Sequence, residues 1–306
     1  MIVHASDIEL ADYMVDPDFS AHVRTADDYL AQLKRIFAGT ERTEPCACLG
    51  WSKVGDKLGF RPEEVTLWAG SNGSRKSMLV GQLVLDLAQQ AYGSLTISLE
   101  MPARKTLERM FRQAAGVAQP GSADCDLAAS VMRDRVYLFD HVGSMGIERL
   151  GAVLRWARAK LPVQHVVVDS MTKVVRGDDD YSAQKDFVDR MCELAKETGL
   201  HLHIVVHNRK PSDTFERMPT KWDIKGSSSV TDLAHNIVVL WRNRAKESAG
   251  DKDPDAPDQI LDVQKQRNGA FEGKLRLWFD PNSLQFLQDP GAFARPYVAQ
   301  RKLQEA

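Results

Sequence analysis

The sequence lacks any run of about 18 apolar residues. Its N-terminus, MIVHASDIEL, carries acids where an export signal would carry Lys or Arg. Such a chain is expected to be soluble and intracellular. Cysteine is scarce: Cys46, Cys48, Cys125 and Cys192 are the only four. Cys46 and Cys48 form a lone C-x-C with no second pair at zinc-ligand spacing, which argues against a metal site. Few, unevenly spread thiols fit a reducing compartment. Net charge is also nearly absent, with 40 basic residues against 42 acidic ones and a balance of -2. Nucleic-acid binding, if present, must therefore come from a local basic patch. There is no internal repeat and no long low-complexity tract. What remains is an ordinary globular composition, 43% hydrophobic and 27% charged, in 306 residues that can bury one large core.

The chain falls into three parts: 1–48, 49–287 and 288–306. The first is polar and contains one helix candidate, Thr25–Phe37, with Tyr29, Leu30, Leu33, Ile36 and Phe37 at helical spacing and Asp27 and Asp28 in its first turn. GTERTEPCAC, ending at Cys48, reads as a linker. The second part alternates strands and helices. Strands are expected at Val65–Ala69, Ser94–Leu99, Arg135–Phe139, His165–Val168 and Leu202–Val206. Helices are expected at Lys76–Ala91, Ala103–Ala115, Ile147–Ala159 and Ser182–Glu197. This βαβα order predicts an α/β fold, a mainly parallel sheet with helices on both faces. The strand-rich stretch from Asn236 onward is expected to extend the sheet in antiparallel fashion. The tail after Phe286, polar and broken by prolines, reads as a partner-binding or disordered segment.

Gly70, Ser71, Asn72, Gly73, Ser74, Arg75, Lys76 and Ser77 follow a strand and open a helix, the setting of a phosphate-binding loop. Backbone N–H groups of such a loop wrap phosphates, and the helix N-terminus adds partial positive charge. Lys76 would reach the β- and γ-phosphates of ATP or another nucleotide, and the Ser77 hydroxyl would ligand Mg²⁺. The usual pattern has glycine before the lysine, where Arg75 stands here. Glycine avoids a side chain where backbone and phosphate approach closely. An arginine is tolerated there if it points away, and otherwise weakens nucleotide binding or hydrolysis.

Other strand ends carry further chemistry. Glu100, after the second strand, is positioned to polarise an attacking water; its bland alternative is a helix-capping acid. Asp169 ends an apolar strand and would hold Mg²⁺ through water. His207 ends another and is a candidate γ-phosphate sensor, or simply a packed histidine. Lys265 and Arg267 lie two residues apart on a strand, hence on one face. They read as a finger pair reaching across a subunit boundary, or as a solvated edge.

Taken in order, GSNGSRKS, SLEMP, HVVVDS, the stretch from DYSAQKDF to VVHNRKPSD, DIKGSSSVTDLAHNIVVLWRN and KQRNG resemble the hexameric replicative DNA helicases of the DnaB type, phage and Twinkle-like members included. The resemblance runs from about Leu49 to Phe286. It implies a RecA-like ATPase domain acting as an ATP-dependent DNA helicase with Mg²⁺. The helicase would form a homo-oligomeric ring, usually a hexamer, and translocate 5′ to 3′ on single-stranded DNA. It also implies Glu100 as catalytic carboxylate, His207 as phosphate sensor, Lys265 and Arg267 as trans-acting cations, and Arg242 as an arginine near the nucleotide. Channel-facing DNA contacts would come from Arg209, Lys210, Lys225, Gly226 and Ser227. The helix at Thr25–Phe37 resembles, in position, a linker helix that docks on the adjacent subunit. Primase and DNA polymerase would be separate partners, in a cytoplasm that is the bacterial host's if the chain is phage-encoded. Two alternatives share the fold: a recombinase ATPase, and, because of Arg75, a nucleotide-binding scaffold that does not hydrolyse.

Overall fold

The computed structural model describes the chain apart from residues 1, 5–8, 15–25, 39–45, 176–179, 209–217, 225–227, 249–252 and 298–306. In chain order the elements are β1 (Ile2–His4), α1 (Ala26–Phe37), β2 (Ala47–Cys48), β3 (Gly59–Phe60), β4 (Val65–Gly70), α2 (Lys76–Gln89), β5 (Ser94–Ser98), α3 (Ala103–Ala115) and α4 (Ser122–Met132). Then come β6 (Val136–Asp140), α5 (Ile147–Lys160), β7 (His165–Asp169), α6 (Tyr181–Thr198), β8 (His201–His207), α7 (Ser228–Leu233), β9 (Asn236–Arg242), α8 (Arg244–Ser248), β10 (Gln259–Gln266), β11 (Gly273–Phe279) and β12 (Phe286–Leu287).

Ten strands form one sheet in the order β1-β6-β5-β7-β8-β4-β9-β10-β11-β12. Strands β1 to β9 in that row pair in parallel, and β10, β11 and β12 add on in antiparallel fashion. This is the expected mainly parallel sheet with its antiparallel extension. The strands are apolar because both faces are covered. Along β4, Val65, Leu67 and Ala69 face α5 and α6, packing with Leu150, Leu154, Phe187 and Met191. Trp68, on the other face, joins Leu79, Leu83, Met110 and Val131 of α2, α3 and α4.

Four features depart from the sequence reading. Helix α4 lies in a stretch given no element there; the Asp124 carboxylate accepts from Gly121 N–H at its start, and Ala128, Val131 and Met132 are its buried face. Ile2–His4 adds an edge strand beside β6. The end of the linker, Ala47–Cys48, pairs with Gly59–Phe60, and Ala47 is buried. The tail, rather than leaving the body, folds back as far as Tyr297. The Tyr297 N–H donates to Ala114 O at 2.8 Å, and its hydroxyl donates to the buried Asp86 carboxylate at 2.7 Å. Helix α1 forms where expected, with Leu30, Leu33 and Phe37 exposed. No helix among the described residues is long and apolar enough to cross a membrane.

At the opposite end of the sheet from the loop Gly70–Ser77, three histidines are buried together. His201 and His203 project from β8 beside His165 of β7. His201 pairs with Thr66 Oγ1 at 2.8 Å and with Arg61 O at 2.6 Å. His203 accepts from Trp68 Nε1 at 3.3 Å and meets His165 Nδ1 at 3.3 Å. Phe60 caps His203 edge-on at 4.9 Å between centroids.

Burial lowers His201 to about 4 and holds His165 and His203 well below the ordinary value. Below about pH 6.5 the unfolded chain protonates these rings and the folded chain does not. Stability is therefore complete above that pH and falls as pH drops towards 4, by about 1.4 kcal/mol per pH unit per ring. Asp86 and Asp169, raised by burial, bind protons in the folded chain and offset part of this loss. The net expectation is a loss of at least about 1 kcal/mol per pH unit. Thermal midpoints recorded from pH 7 to 5 should fall steeply, and a flat profile would contradict the arrangement.

Candidate nucleotide-binding site

Parallel pairing sets Gly70 of β4 opposite His207 of β8, and Ser98 of β5 opposite Asp169 of β7. The C-terminal ends of four adjacent strands thus meet at one edge, where open α/β sheets hold ligands. From Gly70 the chain turns through 71–75 into α2. A Cβ at Gly70 would lie 2.6 Å from Leu240 O and 2.7 Å from Ser74 Oγ, so only glycine fits. Gly73 has φ +76° and Arg75 φ +69°, both in the left-handed region.

The Arg75 angle explains why glycine suits this position: the backbone there is left-handed, which costs an L-residue about 1–2 kcal/mol. The Arg75 side chain turns to Glu247 at 3.0 Å and lies over the Phe279 ring at 4.0 Å. Neither of those residues lines the cleft beside the loop. Burial and the neighbouring Arg242 lower the Arg75 pKa, with Glu247 opposing. Two further arginines hold the loop from outside: Arg242 Nη1 donates to Gly73 O at 2.8 Å, and Arg244 Nη2 to Asn72 O at 2.9 Å. Arg242, expected near the nucleotide, is brought to the loop's outer edge, where it also pairs with Glu247 at 2.7 Å, and it does not line the cleft.

The cleft itself encloses about 610 Å³ between Asn72–Met78, Glu100, Arg109, Asp169, Thr172, Lys173 and His207. Lys76 Nζ donates to Gly70 O at 2.8 Å and Ser71 O at 3.0 Å, and approaches His207 Nδ1 at 3.3 Å. An ammonium has only protons to give, so Nδ1 accepts and the ring proton sits on Nε2. That nitrogen faces Glu100 Oε1 at 3.8 Å, too far for a hydrogen bond. Glu100 Oε1 accepts from Ser170 Oγ at 2.5 Å, and Ser170 meets Thr172 Oγ1 at 2.8 Å. The buried Asp169 carboxyl is raised by desolvation, while a hydrogen bond from Ser77 and the charges of Lys76 and Arg109 lower it. Burial lowers Lys76 to about 8, against the pull of Asp169 and Glu100.

These residues fit a phosphate chain with a hydrated divalent cation. Ser74 Oγ is buried with no hydrogen-bond partner among the described residues. The lysine is spanned between backbone carbonyls that a phosphate would replace, and a hydroxyl and a carboxylate already touch where a cation would join them. A carboxylate, a neutral imidazole and an ammonium in one chain can orient water and register a change in phosphate charge.

Lys265 and Arg267 do not line this cleft. Both reach the last carbonyls of α7: Lys265 Nζ donates to Thr231 O and Asp232 O at 2.8 Å, and Arg267 Nη2 to Asp232 O at 2.7 Å. Arg267 sits one residue beyond β10, yet the two cations do share a face. Arg209, Lys210, Lys225, Gly226 and Ser227 lie outside the described residues. Sequence reasoning missed Ser170, Thr172, Arg109 and Arg244. Ser170 and Thr172 follow directly on Asp169, a usable signal. Arg109 was findable only from the α3 face it shares with Thr106, Met110 and Gln113, all lining one small cavity behind the cleft.

Residues 53–288 match the family described as the DnaB-like helicase C terminal domain. A DNA helicase/primase of Enterobacteria phage T3 is 25% identical over 208 residues, covering 61% of this chain and 37% of that protein. The chain thus spans well under half the length of that curated relative. Among solved structures, an ATPase domain solved on its own aligns with a TM-score of 0.74 at 14% identity, over 87% of this chain and 99% of that one. A DnaB-like replicative helicase, solved in a study of its interactions with primase, aligns at 0.70 and 15% identity, over 87% and 67%. At such identities the two structures establish a shared fold.

Arg75 generates a test of the loop. Arg75→Ala keeps the left-handed strain and drops both side-chain contacts, so it should destabilise by about 1–2 kcal/mol. Arg75→Gly removes the strain and should be about 1 kcal/mol more stable than the alanine variant. Urea midpoints read the difference; equal midpoints for the two would refute the account of this backbone.

Proposed function

This chain belongs to the DnaB-like helicase C-terminal domain family, and from that membership we propose that it is the ATP-driven motor of a ring-forming replicative DNA helicase. The observation that carries the reading is the convergence of Lys76, Ser77, Glu100, Asp169 and His207 on one cleft from four strand ends. Lys76 and the loop N–H groups bind the phosphates of ATP. Mg²⁺, held by Ser77 and by Asp169 through water, offsets phosphate charge when bound. Glu100, steadied by Ser170, orients the attacking water and takes its proton. His207, hydrogen-bonded to Lys76, senses the γ-phosphate.

The position of Lys265 and Arg267, outside their own chain's cleft, favours a role in a neighbour's site. There they would stabilise transferring phosphate charge, which makes a homo-oligomer, in this reading a hexamer, necessary for turnover. The exposed apolar residues of α1 support docking of this helix on the adjacent copy within the first segment, 1–48. Arg209, Lys210, Lys225, Gly226 and Ser227 are proposed to track the phosphates of single-stranded DNA in a 5′–3′ direction. Primase and polymerase act as separate partners in a cytoplasmic setting. A scaffold without hydrolysis loses its main motive, because the Arg75 guanidinium is engaged with Glu247 and Phe279.

ATP turnover with and without single-stranded DNA tests the proposal. The strand should stimulate turnover, and Glu100→Gln should lower the rate by about 10²–10⁴-fold with nucleotide binding retained. A Glu100→Gln protein turning over at the wild-type rate would remove Glu100 from its role.

A further inference from the structure

Trp222 is 62% exposed. It is the one exposed large apolar side chain among the described residues from Met218 to Ser248. Of the six tryptophans, Trp51, Trp68 and Trp278 are buried and Trp156 and Trp241 are half-buried. An indole left in water alone, with no apolar patch around it, calls for a reason.

The ring is nevertheless rigidly mounted. Thr220 and Asp223 close the turn 220–224 on itself: the Asp223 carboxylate accepts from Thr220 N at 2.7 Å and from Thr220 Oγ1 at 2.9 Å. Lys221 N–H donates to Gln264 Oε1, and Gln264 Nε2 donates to Pro219 O at 3.4 Å, which ties the turn to β10. Ile224 is buried in the core and bridges Asn208, the residue after His207. The surroundings are cationic. Lys221 Nζ lies 5.5 Å from the Trp222 ring centroid. Lys221 is also near enough to Lys265, itself beside Arg267, to depress its pKa, with Asp232 as the opposing acid.

We infer that Trp222 is a stacking platform for a base of single-stranded DNA, with Lys221 beside it for the adjoining phosphate. The inference rests on the single-strand reading above and assigns to this chain a base contact that phosphate tracking does not contain. A flat π-face next to a cation matches a nucleotide, whereas a protein partner would need a contiguous apolar surface. Every base has a π-face, so the contact suits a motor without sequence preference. The mounting also joins the platform to the nucleotide cleft by a short path: Lys76 touches His207, Asn208 follows His207, and Asn208 bridges Ile224, two residues from Trp222.

The full chain, saturated with a non-hydrolysable ATP analogue, would be titrated with an oligo-dT and with an abasic deoxyribose-phosphate strand of equal length, at several salt concentrations. Wild type should bind oligo-dT about 5- to 150-fold more tightly than the abasic strand. Trp222→Ala should lose that preference and keep the salt slope, because phosphate contacts set the slope. Trp222→Phe should keep most of the preference. Oligo-dT should quench the wild-type tryptophan emission and leave that of Trp222→Phe unchanged. A Trp222→Ala protein that keeps the oligo-dT preference would overturn the proposal, as would one whose only defect is in self-assembly. Binding of neither strand by wild type would overturn the single-strand reading itself.

Discussion

The register of four parallel strands is the constraint on which the site depends. Gly70 stands opposite His207, and Ser98 opposite Asp169. Side chains alternate faces along a strand, so a slip of one residue between β4 and β8 would carry His207 to the far face, away from Lys76. The same alternation explains the core: Val65, Leu67 and Ala69 of β4 pack on α5 and α6, while Trp68 packs on α2, α3 and α4. Burial on both faces is what fixes the register, and the register is what lets Lys76, His207, Glu100 and Ser170 form one chain of contacts.

The loop is shaped as much from outside as from within. Arg242 and Arg244 hold its carbonyls from the end of β9 and the start of α8, while Arg75 leans on β11 and α8. The antiparallel strands β10 to β12 therefore do more than widen the sheet. They present Phe279 to the loop on one side and carry Lys265 and, just beyond, Arg267 on the other. One extension thus touches the chain's own phosphate loop and offers cations outside it.

Much of this was legible from residues in order. The buried strands are apolar runs ended by Asp169 or His207, and their strong pattern gave correct element types with bounds within a residue or two. Elements made by distant partners were not legible. Ile2–His4 is too short for any periodicity and exists because β6, over a hundred residues later, offers an edge. The tail looks polar, yet one tyrosine hydroxyl on Asp86 and one backbone bond to Ala114 tie it down. At Arg75 the departure from the loop pattern was visible, but its cause was not: crowding near phosphate was the expectation, and a left-handed backbone angle is the finding. The cations at Lys265 and Arg267 could be seen to share a face, but only the fold shows that this face lies outside their own cleft.

The central claim is that one copy binds the phosphates and the next supplies the cations. Wild-type chains would be mixed with Arg267→Ala chains over the full range of ratios and ATP turnover measured at constant total protein. The account predicts activity that falls faster than the wild-type fraction, because each altered chain disables its neighbour's site in the ring. Activity in simple proportion to the wild-type fraction, together with fully active isolated monomers, would contradict it.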